Sequence, residues 1–186
     1  MKYSFMTFSC PGLSLTECLA LAKKHGYQGI EPRIDAGHKH GIERDAPAHR
    51  RKEFKKQARD SGIALCCIAT SNKYANPAET QAMVEQSKAN IDLAGDVGAP
   101  RLRVFGGGFP DTVSREQAID IVSRALASLA DHAKSRNVVL CLETHDFWCD
   151  PRYVVEVVRR VNHPAVGVNW DIMHPCTAGL TIPEAF

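Results

Sequence analysis

Short apolar segments alternate with segments that carry helix start and stop signals along the whole chain, and this alternation limits the possible folds more than any single residue does. Strands are expected at residues 2–8, 27–32, 63–69, 101–105, 138–146 and 166–171. The helices between them are marked at their ends. Ser14 and Glu17 form a capping box before a helix that stops at Gly26, and Ser114 with Gln117 repeats the device before a helix running to about residue 136. Pro47 opens a basic helix closed by Gly62, Asn76-Pro77 opens one that ends before Gly98, and Asp150-Pro151 opens one reaching Val161. Thr181-Ile182-Pro183-Glu184 has the form of another helix start.

Regular β-α alternation predicts a parallel sheet with helices packed outside it. A doubly wound open sheet carries a phosphate-binding glycine fingerprint after its first strand, and here that turn is only Cys10-Pro11-Gly12. A (β/α) barrel instead places its functional residues at the C-terminal ends of several strands. The chain follows that second pattern. The expected class is therefore α/β, a parallel TIM-type barrel. At 186 residues it is shorter than the typical barrel of about 250 by roughly two βα units. The expectation is a single domain over 1–186 that forms an incomplete barrel of about six βα units, lacking strands seven and eight. Two open parallel edges would then favour a homo-oligomer.

Composition narrows the function. A net charge of +2 gives no electrostatic footprint for nucleic acid, and no segment approaches membrane-spanning length. The run Arg50, Arg51, Lys52, Lys55, Lys56 and Arg59, interrupted by Glu53, reads as a solvated helix face. Seven cysteines, odd in number and mostly inside apolar segments, fit free thiols in a reducing compartment, so the cytoplasm is expected.

The strongest site candidate is Glu143, which ends the apolar run from Val138 to Leu142. A carboxylate there is costly to bury alone, so it needs a cation, an arginine such as Arg103, or a substrate hydroxyl as partner. Asp171 and His174 follow the next strand, and an oxygen–imidazole pair suits Mn²⁺, Mg²⁺, Co²⁺ or Zn²⁺ without choosing among them. The lesser alternative is that Asp171 caps its loop while His174 packs beside Pro175. His145 shares a strand face with Glu143 and is open to a ligand, a substrate-contact or a supporting role. Glu31, at the end of the second strand, could hold a substrate hydroxyl or pair with Arg33 or Arg103. Trp148 and Phe147 could wall a sugar ring or simply pack. Gly106-Gly107-Gly108 is at most a weak phosphate cradle, because no lysine and hydroxyl follow it.

Three segments, Gly29-Ile30-Glu31, Leu142-Glu143-Thr144-His145 and Asn169-Trp170-Asp171-Ile172-Met173-His174, together resemble the xylose isomerase-like TIM-barrel superfamily, in its sugar phosphate isomerase and epimerase branch. The resemblance implies a divalent metal held by four residues on strands five to eight, of which the first two match Glu143 and Asp171. The other two have no counterpart before Phe186. It further implies a carbohydrate substrate, proton abstraction next to a carbonyl, and a metal-stabilised enediolate, with Glu143 as catalytic carboxylate and His174 as the family's substrate-contacting or metal-adjacent histidine. From their positions in this sequence, His145, Glu31, Trp148 and Arg103 are also expected toward substrate. Rival readings are an inosose or dehydroshikimate dehydratase-like lyase, an endonuclease-IV-like enzyme, and a non-catalytic barrel fragment or binding module.

Overall fold

The apolar segments do form strands, and each takes its neighbour from the adjoining segment of the sequence. The computed structural model describes residues 1–186, and its backbone divides into two compact units. The first comprises residues 1–71, 89–102 and 136–138, and the second 72–88, 103–135 and 139–186.

In the first unit β1 (Ser4–Met6), β2 (Gly29–Glu31) and β3 (Ala64–Leu65) lie side by side in parallel, with Phe5 opposite Ile30 and Ile30 opposite Leu65. The segment expected as one strand over 63–69 is interrupted after Leu65 and resumes as β4 (Ile68–Lys73). Pro32 explains the gap: it has no N–H to donate, so the ladder beside Cys66 and Cys67 lapses until Ala69 donates to the Pro32 carbonyl at 2.9 Å and Arg33 bridges to Ala69. α1 (Leu15–Lys24) begins at the expected capping box, with the Ser14 amide donating to Glu17 Oε2 at 2.7 Å, and it buries Leu15, Cys18, Leu19 and Ala22. α2 (Ala48–Ser61) follows Pro47 and ends at Gly62, whose left-handed φ of 75° requires glycine.

α3 (Thr80–Val97) starts three residues later than Pro77, although the Thr80 amide already bonds to the Asn76 carbonyl at 3.0 Å. The second unit holds the end of β4, most of β5 (Arg101–Phe105), β6 (Val139–Glu143) and β7 (Val166–Asn169), neighbours in sequence order. β6 and β7 are parallel in a register that sets Glu143 opposite Asn169. α4 (Arg115–Ser135) presents an apolar face that includes Val122, Leu126 and Leu129, and α5 (Pro151–Val161) buries Val154 and Val157. Asp150 caps α5, accepting from the Arg152 amide at 3.0 Å. The chain then forms α6 (Met173–Thr177), a short helix not expected from the sequence, and α7 (Ile182–Ala185), whose Thr181–Glu184 capping box is present in full. Strand order without reversal is the winding of a barrel wall and not of a doubly wound sheet.

The cysteines carry free thiols, with Cys18, Cys67 and Cys141 buried and Cys176 exposed. No helix is long and apolar enough to cross a membrane.

Candidate metal centre

β6 is a run of buried apolar residues that delivers one carboxylate at its C-terminal end. Glu143 is 7% exposed and faces Arg103 of β5, with Nε 3.4 Å from Oε2 and both side chains buried. Arg103 also lies over the Phe105 ring, 4.2 Å from its centroid. The arginine expected as Glu143's partner is therefore in place. Contact with one carboxylate oxygen still leaves the other for a second partner.

Thr144, fully buried, ties the loops after β6 and β7 together. Its hydroxyl accepts from the Asp171 amide at 2.9 Å and donates to the Asp171 carbonyl at 3.3 Å, and its amide donates to the Asn169 carbonyl. The two loops are thereby held in register, and His145 and His174 meet with ring centroids 4.2 Å apart and edge to face. Phe105 backs His145 from 4.8 Å. Ligand atoms of Glu143, His145 and His174 all lie within 4.8 Å of one another.

Asp146 is the residue that sequence reasoning missed. It sits at φ 50°, a left-handed conformation unusual for a residue with a side chain, and its Oδ1 is 2.8 Å from His145 Nδ1. That contact is not aligned as a hydrogen bond, and Nδ1 remains buried without a hydrogen-bond partner. A buried imidazole nitrogen in this state is one that a cation would satisfy. With a carboxylate and a second imidazole beside it, the donor set fits a divalent metal of the zinc, manganese or cobalt type.

Asp171 stands beside this cluster in the loop-capping position that the sequence left open next to a ligand role. Its Oδ1 accepts from the Met173 amide at 2.8 Å and the His174 amide at 3.2 Å, which caps α6, and its Oδ2 stands 4.0 Å from His174 Nε2. In this geometry Asp171 orients His174, and the close cluster comprises Glu143, His145 and His174. Trp148 is not brought to the rim. It is fully buried, with its indole Nε1 donating to the Gly107 carbonyl at 2.8 Å, and it packs where a side chain on Gly106 would have to go. Phe147, 56% exposed and 5.7 Å from Phe109, is the aromatic residue left open beside it. The glycine run is shaped by this packing, since the Gly106 carbonyl accepts from the Tyr74 and Ala75 amides. Glu31 ends β2 in the first unit, where it accepts from the Ser4 hydroxyl at 2.5 Å. Burial, reinforced by Asp146, pushes the Cys149 thiol above its ordinary value.

Sequentially ordered parallel strands, with an acid–imidazole cluster at their C-terminal ends, define the class: a (β/α)-barrel protein with a candidate metal site on its functional rim. The sequence pattern of the xylose isomerase-like TIM barrel family matches residues 19–184, and the chain belongs to that family. Solved structures agree on the fold. The IOLI protein with a bound zinc atom superposes with a TM-score of 0.83 at 19% identity, covering 99% of this chain and 67% of its own. D-psicose 3-epimerase, solved with D-fructose, gives 0.82 at 16%, covering 100% and 68%. The probable 3-DHS dehydratase AsbF from Bacillus anthracis gives 0.79 at 21%, also covering 100% and 68%. The chain thus spans about two thirds of the length of each. Among curated proteins none matches the sequence.

Proposed function

We propose that the chain is a divalent-metal-dependent isomerase or epimerase acting on a sugar or related polyol. The observation that carries this reading is the convergence of Glu143, His145 and His174 within 4.8 Å at the ends of two adjacent strands. Support comes from the family match and from the likeness to D-psicose 3-epimerase. A divalent ion held there would supply polarisation of a substrate carbonyl. Glu143 would serve as ligand and as the carboxylate that takes a proton from the carbon next to that carbonyl, with Arg103 fixing its rotamer. His145 and His174 would hold the ion, or the hydroxyls of the sugar once it is bound. Asp171, which sets the position of His174, would become a fourth oxygen donor if its Oδ2 turned inward. Phe147 would offer an apolar face to the sugar ring.

We further read the chain as one barrel-type domain, because the family pattern runs through both units, and as a cytoplasmic protein, because its seven cysteines are free. Self-association is proposed through the β7 side of the second unit, where Val168, Ile172 and Met173 are 40–60% exposed. The function is tested in heavy water, by mass-spectrometric detection of deuterium entering D-fructose next to its carbonyl in the presence of Mn²⁺. Exchange that disappears in Glu143→Gln supports the reading. Exchange unaffected by that substitution, or no exchange with any ketose, would overturn it.

A further inference from the structure

Charge in the first unit is not spread evenly. A cavity of about 810 Å³ opens at the N-terminal ends of β3 and β5, and six cationic side chains line it: Lys2, Lys52, Lys55, Lys56, Arg59 and Arg101. No carboxylate does. The whole chain has 23 lysines and arginines against 21 acids, so a lining of six cations without an acid is a local concentration that the near-neutral total conceals. Asp60 lies nearby, and it accepts from Lys56 at 2.6 Å and pairs with Arg59 at 3.1 Å. The ends of α2 and α3 add the partial negative charge of helix C-termini, about half a charge each. Asp60 and the two helix ends together offset about two of the six positive charges, and Lys2, Lys52, Lys55 and Arg101 are left facing the opening.

The floor of the cavity is apolar and includes Ala58, Ile63, Leu65 and Val97, all buried. Gly98 has a left-handed φ of 81°, and a side chain there would meet Lys55 Cε at 3.2 Å. The glycine thus leaves a channel in which the Lys55 stem lies flat, with its ammonium at the rim. A volume within the range of small-ligand pockets, an apolar floor and a cationic rim are complementary to one kind of molecule. We propose that this cavity binds a small organic polyanion, a compound with two or more phosphoryl groups on an apolar or aromatic body. The body lies on the floor and the phosphoryl groups meet Lys52, Lys55, Lys2 and Arg101. The site shares no residue with the acid–imidazole cluster.

The probe is ADP carrying a methylanthraniloyl fluorophore, titrated against the whole chain at low salt and followed by anisotropy. The expected result is saturable binding, displaced by unlabelled ADP about tenfold better than by inorganic pyrophosphate, because pyrophosphate lacks the apolar body. Lys52→Gln combined with Lys55→Gln, which remove both charges and keep most of each stem, should weaken binding about tenfold with a melting temperature within about 2 °C of the wild type. Lys23→Ser with Lys24→Ser, on α1 and outside the cavity, should leave binding as it was. Absence of saturation would overturn the proposal. So would equal weakening by the α1 pair, which would mean diffuse charge attraction, or displacement by single-stranded RNA but not by ADP, which would mean a nucleic-acid surface.

Discussion

Gly106→Ala should damage this protein out of proportion to the single methyl it adds. A Cβ at position 106 would fall inside the contact distance of Trp148, against Cε2, Nε1 and Cδ2 of the indole. The indole has nowhere to go: Trp148 is fully buried and is anchored by its hydrogen bond to the Gly107 carbonyl at 2.8 Å. Overpacking of a filled core costs about 1–3 kcal/mol, and loss of the indole hydrogen bond adds about 1 kcal/mol. The sum is about 3 kcal/mol, or a fall in melting temperature of about 10 °C for a chain of this size. Gly108→Ala is the control two residues on. Its Cβ would meet only the exposed Phe147 ring, at 3.4 Å, and neither glycine has a left-handed backbone, so the pair isolates space from conformational strain. The Gly108 substitution should therefore stay within about 0.5 kcal/mol of the wild type. Thermal unfolding followed by near-ultraviolet circular dichroism, which reads the packed indole, measures both. Equal melting temperatures for the two variants would refute the packing role assigned to Gly106 and Trp148.

Arg103→Leu removes the cation beside a buried carboxylate, and breaking such a pair typically costs about 3–5 kcal/mol; an unchanged urea midpoint would show that Glu143 does not depend on it. Burial holds the His40 imidazole at about 4, below its ordinary value, with the neighbouring His38 acting in the same direction. Because the folded value is depressed, the stability this histidine contributes is complete above about pH 6.5 and is lost as pH falls toward 4, on the order of 3 kcal/mol in all. His40→Gln should flatten the stability–pH curve across that window, and an unaltered curve would contradict the assignment. Asp171→Asn keeps an oxygen that can cap α6, so it should retain the melting temperature, whereas Asp171→Ala should lose about 1 kcal/mol. Mn²⁺ calorimetry on the Asn variant then separates the roles: retained affinity means a cap, and lost affinity means a ligand.

Much of the fold is legible in the sequence because its signals are local. Ser14 with Glu17, Ser114 with Gln117 and Thr181 with Glu184 each form the reciprocal hydrogen bonds their spacing announces. Glu143 is legible for the same reason, as an acid at the end of an apolar run. The extension of β4 through Thr70 and Asn72 is hidden, because apolar pattern cannot reveal a polar strand residue. Asn72 is accommodated there by its amide donating to Gln86 Oε1 at 2.9 Å. The split between β3 and β4 depends on a proline in another strand. The nearness of His145 to His174 depends on Thr144 tying two loops together, and the place of Trp148 depends on the absence of a side chain at Gly106. Each of these is a relation between distant residues, and no window of sequence contains both partners. Asp146 is the intermediate case: it follows His145 directly, yet its contact with that imidazole comes with a left-handed backbone that only the structure reveals.

The proposed metal site can be tested on its own nitrogens. The chain has eight histidines, so ¹H–¹⁵N spectra of the imidazoles resolve which of them meet an added ion. On titration with Zn²⁺, ring nitrogens of His145 and His174 should shift together and saturate at one equivalent per chain, and Glu143→Gln should abolish both shifts while the other imidazole resonances stay in place. Zn²⁺ shifts confined to histidines outside this pair, or shifts of His145 and His174 that survive loss of the Glu143 carboxylate, would contradict the site.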